Sequence, residues 1–219
     1  MQIETTPLRA VDPFAALDAI EQPTTSAACL RRPVALPALD PWLARFTSEA
    51  HAAWGWDGAP SELAAALPEL LRPVPEPAHA LLAADLTALV PRFARWTSRR
   101  HVRVRFEAVA HDGCRKFHVD YMALRLLVTY AGPGTEFVLD PHVDRSWLGH
   151  TGVDMDECNA RIVPDTSHVQ RAAAGDVLVL KGEHFRGAAG RAAVHRSPPI
   201  EGSAVRRLVM KIDVDSCGC

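Results

Sequence analysis

The chain has almost no surplus of charge: 24 basic against 26 acidic residues leave a formal −2 at pH 7. A balance so near zero gives no bulk attraction to nucleic acid or to an anionic membrane, and neither partner is expected. No apolar stretch reaches the length needed to cross a bilayer, and the opening residues, Met1 to Phe14, lack the basic-then-apolar order of a secretory signal. A cytoplasmic protein is the expectation. The five cysteines, Cys29, Cys114, Cys158, Cys217 and Cys219, are odd in number and unevenly spaced, which argues against a disulfide framework and for reduced thiols. There is no internal repeat, no low-complexity tract and no glycine-rich phosphate loop, so repeat architectures and the common nucleotide-binding folds drop out.

What is there is enough for a substantial core. Hydrophobic residues make up 48% of 219 positions, which fits one core domain with a helical extension before it. The expected division is 1–98 for the extension and 99–219 for the core. Residues 1–75 read as irregular and proline-punctuated, with short helices starting at Asp12-Pro13, at Asp40-Pro41 and at Ser61. Trp54 and Trp56, on either side of Gly55, read as wedges against the core. From Glu76 to Thr97 the residues Leu82, Leu86, Leu89, Val90, Phe93 and Trp96 recur at three and four, predicting a long amphipathic helix that Pro91 should kink or break.

The period then changes. His101 to Phe106 alternates polar and apolar, the mark of a half-buried strand. Further strands are expected at 124–130, 135–139, 177–180, 192–195 and 206–214, separated by Gly/Pro turns with no helices interleaved. The predicted class is α+β: a double-stranded β-helix, jelly-roll and cupin-like, carrying the helical extension.

The chemistry centres on Phe117-His118-Val119-Asp120. In an extended segment His118 and Asp120 point to one face and reach a single ion. With a distant histidine they form the two-imidazole, one-carboxylate set that holds non-haem Fe(II) and leaves coordination positions open. His195, on a strand able to lie beside the first, is the expected third ligand; His184, in a loop, is its rival. Zn(II) in the same three ligands is the alternative metal. The tail Cys217-Gly218-Cys219 offers two soft thiolates, and Cys114 lies just before the triad, so a metal-handling protein without oxygenase activity is the competing class. The segments 111–116 and 140–175 are candidate gates over the site.

Taken in order, the segment from Phe117 to Asp120, the strand ending Thr129-Tyr130, the turn Gly132-Pro133-Gly134-Thr135 into Glu136-Phe137, the segment Ala174 to Leu180, His195, and Arg206 to Val209 resemble the 2-oxoglutarate and Fe(II)-dependent oxygenases, particularly their prolyl-hydroxylase-like branch. The resemblance covers about residues 101–214. It implies that His118, Asp120 and His195 bind Fe(II) and that a basic residue some ten positions after the distal histidine pairs with 2-oxoglutarate. Arg206 is the choice over Arg207, because Arg206, Leu208, Met210 and Ile212 form the more apolar face of the last strand and should face the barrel interior. Tyr130 stands where the family's phenol helps hold the cosubstrate. Leu208 stands where the family carries a small hydroxyl-bearing residue. The phrases TYAGPGTE, LKGE and HRSPP also resemble an uncharacterised bacterial family of unknown function whose members often sit beside zinc-homeostasis genes. The substrate, a small molecule or a protein, and the oligomeric state are not written in the residues.

Overall fold

Strand alternation and helix spacing sort the apolar residues onto two different sides of one large sheet. The computed structural model describes residues 12–33, 38–46, 52–187 and 190–214. The chain runs through a 3-10 turn (Ala15–Glu21), β1 (Ala27–Leu30), α1 (Asp40–Phe46), β2 (Ala52–Gly58), α2 (Leu63–Leu71), α3 (His79–Thr97), β3 (Val102–Val109), β4 (Leu124–Ala131), β5 (Glu136–Val138), α4 (Met155–Ile162), β6 (Gln170–Arg171), β7 (Val177–Lys181), β8 (Val194–Arg196) and β9 (Arg207–Asp213). These form an antiparallel six-stranded sheet, β1-β7-β4-β9-β3-β2, and a three-stranded sheet, β6-β5-β8.

The helices cover one face of the large sheet. Leu82, Leu86, Leu89 and Phe93 of α3 are buried against Phe106, Val128 and Met210. Full burial of each such side chain stabilises by about 1.5–3 kcal/mol. Of the kink or break expected at Pro91 there is no break: α3 runs on through it, because Pro91 and Thr87, whose carbonyl loses its helical partner, are both exposed. The face is locked by a buried polar contact. Asp85 takes two 2.6 Å hydrogen bonds from Arg32 and a third, at 2.7 Å, from the Tyr130 hydroxyl.

The other face of the large sheet meets the small sheet through Val109, Leu127, Leu178, Leu180 and Val209, packed on Phe137 and Ala193. α4 in turn packs Cys158 and Ile162 on the far side of the small sheet, against Phe117, Val138 and Val194.

The N-terminal region differs from expectation. It carries two strands, β1 and β2, which form the outer edges of the large sheet. These stretches are short and built of Ala, Gly, Cys and Trp, so pairing partners far along the chain, more than their own pattern, define them as strands. Trp54 does wedge against the core, stacked on Phe106 with ring centroids 5.4 Å apart. Cys29, Cys114 and Cys158 are free thiols, whereas Cys217 and Cys219 lie outside the described residues. Among the described residues no helix is long and apolar enough to cross a membrane.

Candidate metal centre

Two backbone segments far apart in sequence carry the site. His118 and His195 form an isolated antiparallel bridge, each N–H donating to the other's carbonyl at 3.0 Å. The bridge sets the two rings side by side with centroids 4.4 Å apart, and it extends the small sheet by one residue pair at the β8 edge. On the outer side of the bridge the buried Asn159 of α4 takes the place of another strand. Its Oδ1 accepts from Phe117 N–H at 2.8 Å, and its Nδ2 donates to the Arg115 carbonyl at 3.3 Å.

Asp120 closes the set. One ligand atom from each of His118, Asp120 and His195 lies within 4.8 Å of the others. The Nδ1 of His118 is 2.8 Å from the Lys116 carbonyl, and that of His195 is 3.1 Å from the Ala193 carbonyl. A carbonyl can only accept, so both rings donate through Nδ1, which leaves Nε2 as the nitrogen each can offer to the centre. Burial pushes the His195 pKa down to about 4 against the pull of Asp120, so that ring is neutral at pH 7. Its Nε2 lies 3.5 Å from Asp120 Oδ2 and forms no ion pair in that state.

Asp120 Oδ1 accepts from Arg125 at 3.0 Å, while Oδ2 is buried without a hydrogen-bond partner. An orphaned carboxylate oxygen grouped with two imidazoles fits a divalent cation, and the mixed nitrogen and oxygen donors suit Fe(II).

A cavity of about 260 Å³ opens from His118 and His195 between the sheets, lined among others by Arg125, Leu127, Thr135, Arg207, Val209 and Lys211. Arg207 is its buried cation. Burial lowers its pKa to about 10, which leaves it protonated near neutrality. Its Nε donates to the Pro133 carbonyl at 2.7 Å, the single hydrogen bond it makes among the described residues. The turn makes room for it: Gly132 has φ +75°, and a Cβ there would press on the Arg206 carbonyl and on the Arg207 side chain.

Two sequence expectations fail here. Arg206 does not line the cavity; its guanidinium folds back onto the carbonyls of Ser203 and Val205. Leu208, Met210 and Ile212, the apolar alternate of β9, face the helices, so the opposite alternate, Arg207, Val209 and Lys211, faces the cavity. An apolar face marks a buried side, and this sheet has two covered sides, of which the helical one is the drier. Tyr130, expected from its family position, points instead to the helical side, onto Asp85, and does not line the cavity. The position two after Arg207 is Val209, again without a hydroxyl, while Thr135 brings one to the cavity wall from the neighbouring turn. His184 lies apart from the triad, 6.4 Å from the Tyr121 ring, so His195 is the histidine that joins His118 and Asp120.

Arg125 and Asn159 were unmarked by any motif. The signal for Arg125 was a lone charge inside the apolar run Leu124 to Val128.

A family profile described as "Protein of unknown function (DUF1826)" matches residues 12–213. No curated protein matches the chain. Among solved structures it is similar to a dioxygenase for auxin oxidation in rice, at 15% identity over 92% of this chain and 75% of that chain, with a TM-score of 0.46. It is also similar to AviO1 from Streptomyces viridochromogenes Tue57, at 16% identity over 97% of this chain and 99% of that one (TM-score 0.44). A Pseudomonas putida prolyl-4-hydroxylase matches at 13% identity over 92% of this chain and 98% of that one (TM-score 0.47).

Proposed function

The chain belongs to the DUF1826 family of proteins of unknown function, and on that premise we propose, from the site it carries, a non-haem Fe(II), 2-oxoglutarate-dependent oxygenase of the hydroxylase type. The observation that carries the reading is the unpartnered, buried Oδ2 of Asp120 grouped with His118 and His195, two histidines that open on a cavity with a buried cation, Arg207, in its wall. The strand path supports a double-stranded β-helix as the scaffold: β3, β4, β7 and β9 fall in the large sheet, and the His118 bridge, β5, β6 and β8 fall in the small one.

Each residue then has a task. His118, Asp120 and His195 would hold the metal, with the neutral state of His195 keeping its lone pair available without prior loss of a proton. Arg207 would pair with the far carboxylate of 2-oxoglutarate, its Nε tied to Pro133 so that the remaining guanidinium nitrogens are oriented in advance. Leu127, Val109 and Val209 keep the floor of the cavity dry, which strengthens that ion pair. The bound metal would supply the site at which O₂ oxidises both partners, one oxygen atom ending in the succinate formed from 2-oxoglutarate with loss of CO₂ and the other in the hydroxylated C–H bond of the substrate.

The test is metal content of anaerobically purified protein, followed by titration of the Fe(II) form with 2-oxoglutarate. A weak visible charge-transfer band that is lost in Arg207→Ala is the expected result. Tightly held zinc with no response to 2-oxoglutarate would overturn the oxygenase reading in favour of metal handling or metal-assisted hydrolysis.

A further inference from the structure

Arg125 and Asp120 make an incomplete pair. Arginine and carboxylate in a half-buried setting favour a two-toothed contact, in which both oxygens are taken. Here one nitrogen of Arg125, Nη1, reaches one oxygen, Oδ1, at 3.0 Å. The nitrogen able to complete the fork is Nη2, and the oxygen it would take, Asp120 Oδ2, is buried and without a hydrogen-bond partner. That second contact is not made, because Nη2 is turned to Asp213 Oδ2 on β9, 3.5 Å away. Asp120 is fixed from behind as well, through its own carbonyl, which accepts from Glu183 N–H at 2.8 Å. A buried carboxylate oxygen without a donor is costly and fits a cation as its partner.

We propose that Arg125 is a positioning residue that restricts Asp120 to ligation through Oδ2 alone. The inference rests on the metal-centre reading above. Its consequence is a count of coordination positions. Two imidazoles and one carboxylate oxygen occupy three of the six positions of an octahedral ion, leaving three, which is the number that a two-toothed ligand and one further small ligand need. A carboxylate free to bind through both oxygens takes a fourth position and leaves two. Asp213 holds Arg125 in register and so belongs to the same device.

The experiment uses Co(II), whose visible spectrum reports coordination number, loaded into the wild-type protein and into Arg125→Gln, Arg125→Lys and Asp213→Asn. Each is titrated with 2-oxoglutarate, a two-toothed ligand, and with azide, a one-toothed ligand. The expected result is a changed Co(II) spectrum in Arg125→Gln, with 2-oxoglutarate bound about 10–100-fold more weakly and azide little affected, in line with other residues that orient a metal ligand. Arg125→Lys, which keeps a cation at Oδ1, should restore most of the affinity, and Asp213→Asn should fall between. Unchanged spectrum and unchanged 2-oxoglutarate affinity in Arg125→Gln would overturn the proposal, as would equal weakening of both ligands or a Gln variant that loses Co(II) without rescue by Lys. Failure of the wild-type protein itself to bind Co(II) would instead remove the metal-centre reading, so the two failures are told apart by the first titration.

Discussion

Arg207 is anchored by its Nε to the carbonyl of Pro133, 74 positions earlier in the chain, at 2.7 Å. The contact joins the last strand of the large sheet to the turn that opens β5, and it decides which of two adjacent arginines enters the cavity.

Replacing Arg207 by Ala should therefore weaken 2-oxoglutarate binding by roughly 10–100-fold, the loss of one charge-assisted contact of about 1.5–3 kcal/mol. Arg206→Ala should leave it unchanged. Isothermal titration of the two Fe(II)-loaded or Co(II)-loaded variants checks the pair, and the opposite ranking would return the role to Arg206.

His118→Ala and Asp120→Ala should each abolish stoichiometric metal. Elemental analysis after anaerobic loading and desalting is the measurement. Full retention of metal in either variant would sink the three-ligand centre, because two remaining donors do not make a tight site for a hard or borderline ion.

Asp85 should matter for stability and not for chemistry. Asp85→Ala leaves Arg32, itself largely buried, and the Tyr130 hydroxyl without their acceptor, an effect of about 3–5 kcal/mol in denaturant unfolding. Tyr130→Phe removes one donor and should cost about 1 kcal/mol with no change in 2-oxoglutarate affinity. A large affinity loss in Tyr130→Phe would put the phenol back in the site.

Glu136 should contribute to the acid limb of the stability profile. Burial raises its pKa, but hydrogen bonds from Arg171 and Arg196 more than offset this, and the net direction is down. A carboxylate whose folded pKa lies below its unfolded one stabilises the fold above the unfolded value, and that contribution is lost as pH falls through the folded one. Glu136→Gln should thus be less stable than wild type at neutral pH, with the gap closing below about pH 4 on the ordinary glutamate scale. A gap that is constant with pH would contradict the assignment.

Much of this was legible in the residues, and the illegible part has a common cause. The long helix and the strands from β3 onward follow from periodicity, because burial on one face imprints a period that sequence retains. His118 and Asp120 were readable because two residues apart on an extended chain means one face. What periodicity does not encode is which of two buried faces is which, so Arg206 was expected in the cavity where Arg207 stands, while Tyr130, expected there from family position alone, lies on the helical side. Nor does it reveal edge strands such as β1 and β2, which exist through pairing with β7 and β3 and have little pattern of their own.

The reciprocal bridge between His118 and His195 has a bearing on how the protein is made. The two residues stand 77 positions apart, and β4, β5, α4, β6 and β7 all lie in the loop they close. Ligand geometry therefore cannot exist in a nascent chain or in a partly folded one, and loop-closure entropy delays it until most of the sheet is formed. Metal uptake should follow folding, and it should bind the native state so much better than any intermediate that added Fe(II) raises the barrier to unfolding of the whole double sheet, making metal release a clock for global opening.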